Sequence, residues 1–150
     1  MKLAEALNLR ADLQKRIAQI KERLNNNIKV QEGDEPAEAP EALFQELDAT
    51  LSQLQEMIFR INRTNLATVW DGRCLTDMIA EKDTLALRIS VLREVLGNAN
   101  VRSDRYSRNE IKFVRTIDVS ALQKQIDALS KQLRELDVKL QQANWMTELA

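Results

Sequence analysis

The stretch that decides the fold lies near the C-terminus and reads VSALQKQIDALSKQLRELDVKLQQA from Val119 to Ala143. Apolar residues recur in it at alternating spacings of three and four: Val119, Leu122, Ile126, Leu129, Leu133, Leu136, Leu140 and Ala143. This is the a/d pattern of a heptad repeat, which predicts a helix that supercoils against a neighbouring helix. The rest of the chain is expected to supply that neighbour.

Three other stretches carry similar apolar seams. The predicted helices cover about 2–26, 40–65, 75–96 and 119–143. In the second helix the seam is formed by Phe44, Leu47, Leu51, Leu54, Ile58 and Ile61. The sequence therefore predicts an all-α protein, an elongated, coiled-coil-rich antiparallel four-helix bundle that forms a single domain over residues 1–150.

The third helix has more apolar surface than one seam requires. Leu87, Val91 and Val95 form a second stripe beside its main seam. A helix that is apolar on two sides is buried by more than one neighbour. This excess of apolar surface predicts a homo-oligomer, a dimer or higher, held together through helical seams.

Two charged segments connect the predicted helices. The linker at 31–40 is turn-rich and acidic, and the loop at 99–118 is basic. Ile28–Gln31 and Ile111–Ile117 have the β-branched, partly alternating composition of short strands. If the first and last helices pair antiparallel, these two stretches become neighbours, so we expect them to form a two-stranded β ribbon.

Three polar residues interrupt otherwise apolar seams at a-type positions, namely Arg10, Asn65 and Lys82. Lone polar residues at such positions specify helix register and partner choice. They could also line a polar pocket inside the bundle. We interpret them as register-specifying core residues.

One basic cluster is interleaved with Tyr106 and Phe113. It consists of Arg102, Arg105, Arg108, Lys112 and Arg115. Basic residues beside aromatic rings are typical of sites that bind phosphates and stack on bases, so these five residues are candidate anion or nucleic-acid contacts. Alternatively, they pair with the acidic linker of the same or a neighbouring subunit.

Composition argues against most catalytic and metal chemistry. The chain has no histidine and one cysteine, Cys74, so it lacks the commonest general base and any multi-cysteine metal site. We expect no enzyme activity and no cofactor. The net charge is −1, and no apolar run approaches the ~20 residues of a membrane span. Without a signal-peptide pattern, we expect a cytoplasmic protein without integral membrane association.

Five short blocks carry a resemblance to known proteins. They are KLAEAL at 2–7, RADLQKR at 10–16, VQEG at 30–33, RINRTN at 60–65 and QANW at 142–145. In this order they resemble a family of small uncharacterised bacterial proteins, some of which are labelled septicolysin. The likeness spans essentially the whole chain and implies a helical cytoplasmic bacterial protein. It brings no established activity or catalytic residue.

These observations leave the biological function unknown and favour a non-catalytic structural or interaction protein that self-associates. Nucleic-acid binding through the basic loop 102–115 is the first alternative. Peripheral membrane action, which the septicolysin label implies, is the second.

Overall fold

Four helices and one pair of very short strands form the described part of the chain, residues 1–99 and 111–150 of a computed structural model. In order the elements are α1 (Leu3–Asn27), α2 (Pro40–Ala67), β1 (Val69–Trp70), β2 (Arg73–Cys74), α3 (Leu75–Asn98) and α4 (Val119–Met146). The predicted all-α class with four helices is confirmed. Within the described ranges, no helix is long and apolar enough to cross a membrane.

The chain divides into two compact units. Unit 1 comprises Met1–Thr76 together with Gln141–Ala150, and unit 2 comprises Asp77–Leu140. Unit 1 therefore contains α1, α2 and both strands, whereas unit 2 contains most of α3 and α4.

Unit 1 is built on an antiparallel hairpin of α1 and α2. Ile20 and Leu24, late in α1, pack against Leu43, early in α2. Leu13, earlier in α1, shares a groove with Met57, later in α2. Because the order of contacts reverses between the two helices, they run in opposite directions.

The α3–α4 pair of unit 2 uses the predicted seams. Its core consists of Leu85 and Ile89 from α3 and Ile126 from α4, with further leucines packed around them: Leu92, Leu96, Leu122, Leu129 and Leu133. Asp118 caps α4, since its Oδ1 accepts a hydrogen bond of 3.1 Å from the backbone N–H of Ala121.

The predicted position of the β ribbon is wrong. Neither Ile28–Gln31 nor Ile111–Ile117 contains a strand, and the two-stranded antiparallel sheet is β1 with β2. The turn between them is Asp71-Gly72, with φ of 52° and 78°, as two-residue hairpins of type I′ require. Strands of two residues are too short to show any alternation, so the sequence pattern missed them.

The linker does not extend as a strand because it is folded back onto α1. The side-chain oxygen of Asn27 accepts a hydrogen bond of 3.0 Å from the backbone N–H of Glu38. The side-chain N–H of Asn27 donates to the carbonyl of Arg23 at 2.8 Å. This asparagine therefore ties the far end of the linker to the last turn of α1.

Candidate interaction surfaces

Two of the five residues of the predicted basic cluster lie in the described part of the chain. Arg102, Arg105 and Arg108 lie outside the described residues, whereas Lys112 and Arg115 belong to an exposed segment at 111–117 that contains no helix or strand. The Nε of Arg115 donates to the carbonyl of Ala99 at 2.7 Å. Phe113, between the two cations, exposes 85% of its surface. The described part of the cluster thus offers an exposed aromatic ring beside two positive charges.

The three polar seam residues lie in half-buried positions on three different helices. Lys82 of α3 pairs with Asp137 of α4, with its Nζ 2.5 Å from Oδ1, which gives the two helices of unit 2 a polar contact. Arg10 on α1 and Asn65 on α2 are both half-buried. Their role in setting helix register remains a prediction.

An ion cluster that the sequence pattern missed closes one side of the α1–α2 hairpin. Arg23 binds Glu38 through its Nε and Nη2 atoms, and its Nη1 lies 3.2 Å from a carboxylate oxygen of Glu46. Arg16 also reaches Glu46, at 3.0 Å. The hydrogen bonds from Arg23 hold the pKa of Glu38 below its usual value, even though burial acts in the opposite direction. The acidic linker and Arg23 of α1 therefore form an ion pair within unit 1.

The opposite side of the same hairpin is apolar and open. Phe44, Leu51 and Ile58, at seven-residue spacing along α2, are all exposed. Residues one position earlier, Leu43 and Thr50, are buried instead. Apolar periodicity misplaced this seam by one position because Thr50 is a polar residue, buried with its hydroxyl bonded to the carbonyl of Glu46 at 2.7 Å.

A small concavity lies at one end of this open side. It measures about 210 Å³ and is lined by Lys21, Leu24, Asn25, Ile28, Phe44 and Leu47. The two faces of α1 and α2 that meet here are mostly apolar. We name the exposed row Phe44, Leu51 and Ile58, together with this concavity, the hairpin face.

A second exposed apolar row lies on α3 in unit 2. Leu87, Val91 and Val95 are 65%, 50% and 43% exposed, and we name them the α3 ridge. Residues four apart lie one above another on a helix, so the three side chains form a continuous row about two turns long. The second stripe predicted from the sequence is thus present, and its side chains are exposed.

Residues 147–150 form hydrogen bonds both with the start of α1 and with the last turns of α2. Thr147 accepts a hydrogen bond from the N–H of Leu3, and Leu149 donates one to the carbonyl of Met1, each at 2.9 Å. The N–H of Ala150 donates to Thr64 Oγ1 at 2.9 Å, and Arg60 Nε donates to the carbonyl of Ala150 at 3.1 Å. These contacts join the start of α1 to the end of α2.

The fold and its surfaces define a small all-α protein built from helical hairpins with exposed apolar rows. Residues 10–149 match the family of unknown function DUF6847, and the chain belongs to that family. It is similar, at 39% identity and a TM-score of 0.92, to the crystal structure of a functionally unknown conserved protein from Corynebacterium diphtheriae. That similarity covers 100% of this chain and 99% of the other. No curated protein matches the chain.

Proposed function

We propose that this chain is a non-catalytic, cytoplasmic interaction protein that pairs with a second copy of itself through the α3 ridge. The observation that carries the proposal is the exposure of Leu87, Val91 and Val95 as one continuous row. Covering such a row stabilises the complex by about 25 cal/mol for each Å² of apolar surface that is removed from water. Scattered apolar residues are normal on a surface, but a contiguous row indicates an interaction site.

The spacing of the ridge suits a particular way of packing. Rows of residues four apart on two helices interlock when the helices cross at about −50°. A crossing of this kind brings only about two turns of each helix together, which is the length of the ridge. With a two-fold axis through Val91, Leu87 of one copy meets Val95 of the second copy, and the reverse.

We expect Val91→Lys to weaken association about tenfold or more, because it places a charge without a partner at the centre of an apolar contact. Val138→Lys is the matched control, since Val138 is an exposed valine of α4 outside the ridge. Light scattering and sedimentation at micromolar concentrations measure the change. A wild-type chain that is monomeric throughout contradicts the proposal.

Nucleic-acid binding is a second candidate function, favoured by the exposed ring of Phe113 between Lys112 and Arg115. Single-stranded nucleic acid binds such sites through stacking and phosphate contacts, and salt weakens it. We expect the triple alanine variant of these residues to lose oligonucleotide binding, measured by fluorescence anisotropy at low salt. The control Lys15→Ala/Lys124→Ala removes the same number of cations from exposed helix surfaces.

The same experiment separates this candidate from membrane action. The resemblance to septicolysin-labelled proteins supports contact with a membrane surface, for which Phe113 and its two cations supply the apolar and basic groups. Flotation with phosphatidylserine vesicles measures that contact in the same variants. Binding to neither oligonucleotide nor vesicle at low salt removes both candidates.

A further inference from the structure

Unit 1 carries a second face that fits a copy of itself. We propose that the α1–α2 hairpins of two chains stack through the hairpin face into an antiparallel four-helix bundle, a contact separate from the α3 ridge. This goes beyond the proposed function because it gives each chain two different self-complementary surfaces. Two such contacts allow assembly beyond the dimer.

The first argument is the pattern of burial along α2. The heptad row Leu43, Thr50 and Met57 is buried, and the adjacent row Phe44, Leu51 and Ile58 is exposed. One row of a helix at seven-residue spacing packs against one neighbour. Since the first row belongs to the hairpin core, the second row is available to a further helix.

The second argument is the concavity between the helices at the linker end. Its floor is formed by Leu24 and Leu47, and its walls include Ile28 and Phe44, both of which are exposed. A concave apolar site beside an exposed aromatic side chain allows a knob of one surface to enter a hole of another. The hairpin face thus carries both the knob and the hole that a second copy needs.

The third argument is charge, and it selects one arrangement. Lys21 lines the concavity on the α1 side, and Glu41 and Asp48 flank Phe44 on α2, within one turn in either direction. None of these three side chains forms an ion pair with another described residue. A two-fold axis parallel to the helices puts α1 of one copy beside α2 of the other, so that Lys21 approaches Asp48 and Glu41 of the second copy.

The same axis also satisfies helix direction. Within each hairpin α1 and α2 are antiparallel, and the axis leaves every neighbouring pair between the copies antiparallel as well. That is the arrangement found in up-down four-helix bundles. Placing α1 on α1 instead would leave Lys21 without an acidic partner, so the charges favour the first arrangement.

Site-directed crosslinking tests the arrangement directly. In a Cys74→Ser background, a short bismaleimide should link a mixture of Lys21→Cys and Asp48→Cys chains into a covalent dimer. Each variant alone should give little product, because the axis does not bring equivalent positions together. Efficient linking of Asp48→Cys to itself, or none in the mixture, overturns the proposal.

Light scattering distinguishes this contact from the α3 ridge. Leu51→Lys should leave the ridge dimer intact, Val91→Lys should leave the hairpin dimer intact, and the combined variant should be a monomer. Leu66→Lys is the matched control, because Leu66 is an exposed leucine of α2 outside the face. Circular dichroism confirms folding, and Leu51→Ala replaces the lysine variant if it does not fold.

Each outcome then has one meaning. A Val91→Lys chain that stays monomeric overturns the hairpin contact and leaves the ridge standing. A Leu51→Lys chain that becomes monomeric overturns the ridge and leaves the hairpin contact standing.

Discussion

We expect Ile20→Ala to lower the free energy of unfolding by about 2–5 kcal/mol, the usual cost of truncating a large side chain in a core. Ile20 is completely buried, where it packs with Leu24 and Leu43 between α1 and α2. Alanine removes these contacts and leaves a cavity that helices fixed by their other contacts cannot fully close. Urea unfolding followed by circular dichroism gives the change.

The control for this substitution is Leu66→Ala on α2. Leu66 is 68% exposed, so its truncation should change the free energy of unfolding by no more than about 0.5 kcal/mol. Both variants are compared at one protein concentration, because self-association adds to apparent stability. Equal effects of the two substitutions would contradict the packing described for the hairpin.

The second large effect concerns three consecutive asparagines that look equivalent in the sequence. Asn27 is buried and uses its side chain both to accept from the N–H of Glu38 and to donate to the carbonyl of Arg23. Asn27→Ala leaves the N–H of Glu38 without that acceptor, and we expect a cost of about 1–3 kcal/mol. Asn26→Ala is the control, since Asn26 is exposed at the same helix end.

The same variant has a local consequence that can be measured separately. Losing the Asn27 bond releases the linker at Glu38, which weakens the contact of its carboxylate with Arg23. The pKa of Glu38, lowered in the wild type, should move back towards its ordinary value, which NMR titration detects. Unchanged stability together with an unchanged pKa would show that Asn27 does not hold the linker.

Periodicity predicted the helices because each buries an apolar row that recurs with the helical repeat. Val119 begins α4, and Leu85, Ile89 and Ile126 meet in the core of unit 2 as seam residues should. The first predicted helix, about 2–26, ends beside the observed end of α1 at Asn27. Periodicity could not predict which of the three asparagines is buried, because that depends on where the linker brings Glu38 back to α1.

Apolar periodicity did not predict the features that depend on residues far apart in the sequence. Thr50 is polar yet buried, because its hydroxyl donates a hydrogen bond to the carbonyl of Glu46. A pattern based on apolar residues alone therefore shifts the seam of α2 by one position. The contacts of Arg23 on α1 reach Glu38 in the linker and Glu46 on α2, and no local spacing reveals them. The candidate surfaces were found only in part, because exposure of a row such as the α3 ridge is a property of the folded chain.

The contacts of Thr147 and Leu149 determine when unit 1 can finish folding during synthesis. Leu3 and Met1 bond to Thr147 and Leu149, while unit 2 is one continuous stretch between the two parts of unit 1. Chains emerge from the ribosome N-terminus first, and domains tend to fold as they appear. The helices of unit 2 are therefore made before Leu3, at the beginning of α1, can meet Thr147.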